Sequence, residues 1–331
     1  MAQTPAAPAP GAERLTDSRE SLSRPSLSAD GEWVAYIATG SRGPEVRVNR
    51  LAAPLPASHT LASGPAPDEI LGPPVWAGDP FPLIWVTGDA HLWVLERDGT
   101  LRTRELPHPR GMRGYAYDPF RRRLIVHGPA VAYEYAIGLE RDEDGRLLDL
   151  GAPNSDISWL SLGPIPGTLL YVDSGAVKVW SEGSGARTVL APDDQVARYT
   201  AVRCGQGSLR PVAVARARGD QHPSVIVGLN WATGTEHVVE VPGRRLAAGV
   251  PAAPGWAVAE ADRALWLLDL EGDATLSLTP ATARDADPVV SADGKWLVFA
   301  SAGREDTDLD GRVGPTDPAN VYRMRLPIAI P

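Results

Sequence analysis

Two similar stretches near opposite ends of the chain decide the fold: RPSLSADGEWVAYIATG at residues 24–40 and DPVVSADGKWLVFASAG at residues 287–303. At a constant offset, the proline, the SADG tetrapeptide and the tryptophan of the two stretches align. The Asp and Gly of SADG are typical of a tight turn, because Asp accepts a local hydrogen bond and Gly tolerates a positive φ angle. A run rich in β-branched and aromatic residues follows each turn. Each copy therefore predicts a strand, a tight turn and a second strand.

Weaker copies of this pattern fill the interval between the two stretches. Each contains short apolar strands separated by turns, and together they make seven units of about forty residues. A period of this length, with several strands per unit, is typical of a β-propeller blade. The predicted fold class is therefore all-β, a β-propeller of seven blades. The alternatives are six blades, or an all-β sandwich with a terminal duplication.

The two ends of the chain are predicted to meet in one blade. The seventh unit lacks a last strand, since only PIAIP remains after its third strand. The Leu-Thr pair at residues 15–16 aligns with the pair at residues 278–279, in the last strand of the sixth unit. Residues 13–16 are therefore predicted to close the seventh blade, whose sheet edge would otherwise stay open. Residues 1–11 are expected to be a disordered Ala/Pro leader, and residues 12–331 a single propeller domain.

The pattern P-x-x-S-x-D-G-x-W-hydrophobic-x-aromatic, at residues 25–36 and 288–299, resembles the repeat of TolB-like propellers. These are the WD-repeat-like blades of bacterial envelope proteins. The resemblance implies a propeller, usually extracytoplasmic, that serves as a protein-binding scaffold or as a domain attached to a hydrolase. TolB-type rings commonly have six blades, whereas seven are counted here. The repeats occupy this chain throughout, so a scaffold is expected.

Composition and charge restrict the partners. A net charge of -9 and a pI near 5.2 argue against nucleic acid, which needs clustered positive charge. One cysteine, Cys204, excludes an intramolecular disulfide and a cysteine-rich metal site. No apolar stretch is long enough to span a bilayer. The protein is expected to be a monomer. The start AQTPAAPAPG looks like the tail left after signal cleavage, which predicts a periplasmic or secreted mature form, with a cytoplasmic protein as the alternative.

The familiar catalytic motifs are absent from the sequence. It contains no G-x-S-x-G elbow, no H-E-x-x-H zinc pair and no P-loop. The six histidines are scattered among different units; His127 and His222 each lie near the end of a second strand or in the loop after it. No catalytic residue is predicted, and the leading hypothesis is a non-enzymatic scaffold. The alternative is a lactonase- or lyase-type enzyme with a metal in the central channel, which needs Glu, Asp, Asn or His side chains that converge from several inner strands.

One stretch has the pattern of a metal site. DTDLDGRVGPTD, at residues 306–317, places Asp at positions one, three, five and twelve and Gly at position six, the spacing of a twelve-residue calcium loop. Carboxylates this close repel one another unless a hard cation neutralises them. The position-twelve residue is Asp rather than Glu, which predicts weak binding, and the alternative is a solvated acidic turn. The predicted ligands of one Ca²⁺ are the carboxylates of Asp306, Asp308, Asp310 and Asp317 and the backbone carbonyl of Arg312.

The surface expected to bind a partner follows from strand direction. Because strands alternate, the loops between second and third strands emerge on the same face as the connections between blades. On that face, near the seventh unit, the sequence places an excess of acidic residues. A protein or peptide partner is predicted to bind there, beside the calcium loop. The acidic residues are Asp17, Glu20, Asp285, Asp287 and Glu305.

Overall fold

Seven antiparallel sheets, one for each unit of the repeat, form the blades of a β-propeller, as predicted. Six sheets have four strands, and the first blade has three among the residues that the structure describes. The fourth strand expected in the first blade, at residues 58–62, lies outside those residues. The structure, a computed structural model, describes residues 11–41, 43–51, 69–78, 81–107, 111–119, 121–137, 145–150, 156–204, 212–230, 235–241, 245–272, 274–291, 293–302 and 318–328.

The strands follow the chain from the inside to the outside of each blade. Those of the first three blades are β2 (Ser21–Leu27), β3 (Trp33–Gly40), β4 (Gly43–Arg50); β5 (Val75–Trp76), β6 (Leu83–Val86), β7 (His91–Leu95), β8 (Leu101–Glu105); and β9 (Gly114–Asp118), β10 (Arg123–His127), β11 (Ala132–Ala136), β12 (Arg146–Leu148). Those of the next two are β13 (Ile157–Leu162), β14 (Thr168–Asp173), β15 (Ala176–Ser181), β16 (Gly185–Leu190); and β17 (Val196–Arg203), β18 (Val212–Ala217), β19 (Val225–Asn230), β20 (Thr235–Glu240).

The last two blades bring the two ends of the chain together. Their strands are β21 (Leu246–Ala253), β22 (Trp256–Ala261), β23 (Ala264–Asp269), β24 (Thr275–Ser277); and β25 (Asp285–Val290), β26 (Trp296–Ser301), β27 (Asn320–Arg325) and β1 (Glu13–Arg14). A short 3-10 turn, Ala281–Ala283, leads into the seventh blade. Within the described ranges, no helix has the length and apolar character needed to cross a membrane.

The first strand of each blade lines a central channel. Neighbouring first strands touch around the axis: β13 contacts β9 and β17, β21 contacts β17 and β25, and β2 contacts β25 and β5. We call these seven the inner strands. Turns from first to second strands open on one end of the channel, the turn face. Loops from second to third strands and connections between blades lie on the other end, the connection face.

The two SADG turns share one hydrogen-bond pattern, which shows that the sequence repeat is also a structural repeat. Gly31 and Gly294 have φ angles of 68° and 69°, a region that favours glycine. In both turns the serine hydroxyl accepts from the tryptophan backbone N–H, and the aspartate accepts from the residue two positions later. The pairs are Ser28 with Trp33 (3.0 Å), Asp30 with Glu32 (2.9 Å), Ser291 with Trp296 (2.9 Å) and Asp293 with Lys295 (3.1 Å).

The hydrophobic core is divided into seven clusters, one between each pair of neighbouring blades. Between the seventh and first blades, for example, Val298 and Val321 pack with Leu22 and Val34. Each sheet is covered on both faces by its neighbours. Second strands are therefore mostly buried, completely so in β6 and β14, and they appear in the sequence as largely apolar runs.

The ring is closed by the N-terminal strand, as predicted. In the antiparallel pairing of β1 with β27, Glu13 lies opposite Arg323, and Leu15 N–H then donates to Val321 O (2.8 Å). The buried Thr16 hydroxyl accepts from Val321 N–H (2.9 Å) and donates to Asn320 Oδ1 (2.9 Å). These contacts place the first described residues of the chain against the last strand.

The equivalent threonine of the sixth blade makes the same type of contact. Thr279 Oγ1 accepts from Leu265 N–H (2.9 Å), and Leu278 N–H donates to Leu265 O (2.9 Å). The alignment of residues 15–16 with residues 278–279 is therefore confirmed at the level of individual hydrogen bonds.

Deletion of the closing strand is expected to destabilise the whole ring. Removal of residues 1–11 leaves β1 and Thr16 in place, so the melting temperature should stay close to that of the full chain. Removal of residues 1–18 takes away the hydrogen-bond partners of the buried Val321 N–H and Asn320 side chain. Each lost partner should lower the free energy of unfolding by about 1–3 kcal/mol. Thermal unfolding followed by circular dichroism measures the difference. Equal melting temperatures for the two truncations would contradict closure by β1.

Candidate functional site

Backbone strain marks the channel wall at two equivalent places. The inner strands of blades one and seven each carry a bulge, between Ser23 and Ser26 in β2 and between Ala286 and Val289 in β25. Inside the bulges, Arg24 and Asp287 have φ angles of 49° and 54°. A bulge redirects the side chain that it carries. Non-glycine residues at such angles cost about 1–3 kcal/mol each and concentrate at functional sites.

A chain of hydrogen bonds runs from these bulges across neighbouring blades. The Asp287 N–H donates to Glu260 Oε2 of β22 (2.9 Å), and the Arg24 N–H donates to Asp287 Oδ2 (2.8 Å). The Arg24 guanidinium donates to Ile70 O (2.6 Å), in the segment that enters the second blade. The sixth, seventh, first and second blades are thus joined through polar groups close to the channel.

The charges in this region shift each other's protonation. Burial is the largest cause that raises the pKa of Glu260, to about 7; the carboxylates of Asp287 and Asp285 also raise it, while the Asp287 N–H and the charge of Arg203 oppose the shift. Burial lowers the pKa of Arg203, and the charges of Asp287 and Glu260 raise it. Near neutral pH, Glu260 therefore exists in both its protonated and ionised forms.

A cavity of about 320 Å³ opens at the turn face, in the mouth of the channel. This volume is at the lower end of the range for small-ligand sites. Five blades contribute to its wall, and the polar side chains on it include Ser28, Ser291 and Arg203. We call this cavity the channel mouth. Its apolar wall includes Leu27, Ala29, Val75, Trp76, Val250, Pro251, Val289 and Val290.

Arg203 has an unusual environment in the channel mouth. It ends the inner strand β17, and its guanidinium carbon lies 5.1 Å from the ring centre of Trp159, on the neighbouring inner strand β13. Among the residues that the structure describes, no oxygen accepts a hydrogen bond from this guanidinium. Arg24, by contrast, donates to Ile70 O. Arg203 thus lines the cavity, and its guanidinium has no hydrogen-bond acceptor among the described residues.

The aromatic part of the wall is held in place by its own contacts. The Trp76 indole N–H donates to Ser26 O (3.2 Å), and its ring meets Phe81 edge to face at 5.3 Å. Phe81 in turn meets Trp33 at 5.5 Å, also edge to face. Cys204 is half-buried and lines the same cavity, and burial raises the pKa of its thiol to about 11. The thiol is therefore protonated at neutral pH and a poor nucleophile.

The predicted calcium ligands lie outside the described residues. Asp306, Asp308, Asp310, Arg312 and Asp317 belong to residues 303–317, between the end of β26 and the start of β27. In the described part of the chain, no three His, Cys, Asp or Glu side chains come together in a way that could hold a metal ion.

The acidic binding surface predicted on the connection face does not include Asp285 and Asp287, so the prediction is wrong for these two residues. Asp285 is fully buried, and Asp287 belongs to the channel wall, because both lie on the inner strand β25 rather than in a surface connection. Asp17 and Glu20 each form an ion pair with an arginine, which reduces the local excess of negative charge. Glu305 lies outside the described residues.

The described histidines do not line the channel. His127 ends the second strand β10, where it is 4% exposed; burial lowers its pKa to about 4. His222 is exposed between β18 and β19. His91 and His237 lie on the third strand β7 and the fourth strand β20. None of these four is on an inner strand.

The sequence did not predict which side chains meet around the channel. Arg24 and Asp287 did carry a signal, because they occupy the same position of the repeat, just before the aligned prolines. Trp76, Trp159 and Arg203 lie in inner strands whose sequences are too different to align. The channel brings them together only after the blades close into a ring.

Comparison with known proteins identifies the fold. No family model and no curated protein sequence matches the chain. Virginiamycin B lyase from Staphylococcus aureus has a similar structure, with a TM-score of 0.65 and 12% identity over 96% of this chain and 99% of that one. A catalytically inactive form of the lyase with quinupristin gives 0.64 and 12% over the same shares. A chain of the mitotic checkpoint complex gives 0.66 and 14%, over 98% and 97%. These similarities show a shared propeller architecture.

Protonation of Glu260 is expected to make stability depend on pH. Its pKa rises from an ordinary value of 4.5 to about 7 on folding, so the unfolded chain releases this proton first. The stabilisation is complete below pH 4.5 and is lost as the pH rises to 7. The free energy of unfolding of Glu260→Gln should therefore exceed that of wild type by on the order of 2–3 kcal/mol at pH 8 and by little at pH 4.

Denaturant unfolding at several pH values measures this difference. Glu105→Gln, at an exposed position that ends β8, is the matched control and should show no such trend. A Glu260→Gln effect of the same size at every pH would contradict the argument.

Proposed function

We propose that this chain is a non-enzymatic propeller scaffold that binds a peptide segment of a protein partner in the channel mouth on the turn face. The observation that carries the proposal is the cavity of about 320 Å³ with a largely apolar wall and an arginine that has no described acceptor. Apolar walls with a few polar groups are the general character of ligand sites. Five blades form this wall, so the site exists only in the closed ring.

The nature of the wall favours binding over catalysis. Among the described residues, no histidine or carboxylate lines the channel mouth, and the thiol of Cys204 is protonated at neutral pH. Hydrolytic or lyase chemistry needs a base or a metal close to the bound substrate. The shared fold is compatible with a binding role, since one similar chain belongs to the mitotic checkpoint complex, a protein assembly.

We propose further that the protein is a TolB-like propeller of the bacterial envelope, periplasmic or secreted. The support is the P-x-x-S-x-D-G-x-W pattern, whose two copies make the same turn hydrogen bonds. The weak calcium site proposed below would agree with this location, because extracellular modules typically bind calcium with dissociation constants of about 10⁻⁴–10⁻³ M.

A bulky residue in the channel mouth is expected to block peptide binding. Ala29→Trp adds a large side chain at an exposed residue of the first SADG turn that lines the cavity. Soluble random dodecapeptides with free termini are incubated with the protein, and the bound ones are identified by mass spectrometry. Their affinities are then measured by calorimetry. Wild type should enrich specific peptides, and Ala29→Trp should bind these peptides at least about tenfold more weakly.

The control for this experiment is Ser184→Trp. Ser184 is exposed in the turn between β15 and β16, on the outer part of the same face, and it does not line the cavity. This variant should bind like wild type. If no peptide is enriched, or if Ala29→Trp binds as well as Ser184→Trp, the proposed function is wrong.

Calcium is expected to stabilise the closing blade. We propose that Asp306, Asp308, Asp310, Asp317 and the Arg312 carbonyl bind one Ca²⁺. Binding should stabilise the native state by about 2.7 kcal/mol when free calcium is a hundredfold above the dissociation constant. Because the loop joins β26 to β27, the gain should appear in global unfolding. Melting temperatures with calcium and with chelator measure it.

The double substitution Asp308→Ala and Asp310→Ala should remove the calcium dependence and leave the calcium-free fold intact, since it also relieves charge repulsion. Asp142→Ala with Asp144→Ala is the matched control. These residues lie in RDEDG, an acidic stretch without the full ligand spacing. Calorimetry that detects no calcium binding to wild type at millimolar concentration, or equal binding to the double variant, would refute the site.

A further inference from the structure

We propose that the channel mouth recognises the free C-terminus of a peptide: Arg203 binds the terminal carboxylate, and the apolar wall takes an apolar last side chain. This inference rests on the proposed function and specifies the chemistry of its ligand. It follows from three features of the channel mouth, namely the unpartnered guanidinium, the apolar wall and the neighbouring carboxylates.

The guanidinium is the first feature. Arg203 lines the cavity and carries a planar set of N–H donors, and its contact with the Trp159 ring at 5.1 Å restricts its orientation. No described oxygen accepts from it. A carboxylate matches this planar fork with two parallel hydrogen bonds, and such charge-assisted pairs are the strongest kind. An anion in the cavity would thus supply an acceptor that the described residues do not provide.

The wall is the second feature, and it decides how the anion is presented. Leu27, Trp76, Val250 and Val289 surround the approach to Arg203 from four blades. An acidic side chain within a peptide would bring two arms of backbone into this ring, and their N–H and C=O groups would lose water without adequate partners. A chain end enters with one arm only. Its last side chain meets the apolar wall, while its carboxylate reaches the arginine.

The nearby carboxylates are the third feature, and they select the charge of the ligand. Asp287 lies on the inner strand β25, and Glu260 Oε2 accepts from its N–H (2.9 Å); the charges of both carboxylates raise the pKa of Arg203. They partly offset its positive field and would repel a second negative charge. A single carboxylate is therefore favoured over a dianion such as a phosphate group.

The experiment compares three synthetic hexapeptides by calorimetry. The first is acetyl-Ser-Gly-Ser-Gly-Ala-Leu with a free carboxylate, the second is its C-terminal amide, and the third is acetyl-Ser-Gly-Asp-Leu-Ser-Gly amide, which has an internal acid only. The free carboxylate should bind wild type about 10- to 100-fold more tightly than either amide. N-acetyl-leucine, a free apolar carboxylic acid, is the fourth probe and should bind more weakly than the hexapeptide.

Variants of the arginine test the assignment of the anchor. Arg203→Met should abolish the preference for the free carboxylate over the amide, whereas Arg198→Met, at an exposed position on the same strand β17, should preserve it. Circular dichroism checks that each variant folds. If Arg203→Met does not fold, Arg203→Lys replaces it: it keeps the charge, loses the fork and should reduce the preference without abolishing it.

Each adverse result has a distinct meaning. Equal binding of the free carboxylate and its amide, or no binding of the free carboxylate at millimolar concentration, overturns this inference. The proposed function is then judged by the dodecapeptide selection and the Ala29→Trp variant alone. The inference of C-terminal recognition is also overturned if the peptide with the internal acid binds more tightly than the free carboxylate. If N-acetyl-leucine binds as tightly as the hexapeptide, the ligand is a small free carboxylic acid, and the assignment of a peptide C-terminus is wrong.

Discussion

The antiparallel pairing of β1 with β27 is the contact on which the rest of the molecule depends. It joins the two ends of the described chain in one sheet, where Thr16 provides the hydrogen-bond acceptor for the buried Val321 N–H (2.9 Å). A ring of blades without this strand would leave the outer edge of the seventh sheet open. The inner strands come from all seven blades, so the channel keeps its shape only while the ring is closed.

Closure also explains why polar groups are tolerated close to the channel. The bond from Asp287 N–H to Glu260 and the bond from Arg24 N–H to Asp287 join three blades, and each offsets part of the cost of a strained or desolvated residue. Arg203 stands outside this set, since no described oxygen accepts from its guanidinium. Real proteins depart from full pairing mainly at functional sites. This departure is the physical basis for an anionic ligand in the channel mouth.

The proposed ligand and the proposed calcium ion belong to opposite ends of the propeller. The channel mouth opens on the turn face, whereas β26 ends and β27 begins on the connection face, and the proposed calcium ligands come between these two strands in the sequence. Calcium bound between these strands would strengthen the closing blade, and so support a cavity whose wall includes Val289 of the same blade. In this proposal the ion stabilises the binding site without contact with the ligand.

The sequence by itself determined the number of blades, the inter-strand turns and the closure of the ring. These features are local or periodic: the SADG turn requires its own Ser, Asp and Gly, and the Leu-Thr pair repeats because each copy packs on a third strand in the same way. Only the tertiary structure decided which side chains meet in the channel. Arg203 and Trp159 are far apart in sequence and follow no repeat, and they meet because seven inner strands converge on one axis. The same convergence placed Asp285 and Asp287 on an inner strand of the propeller, whereas strand direction had predicted them in a surface connection between blades.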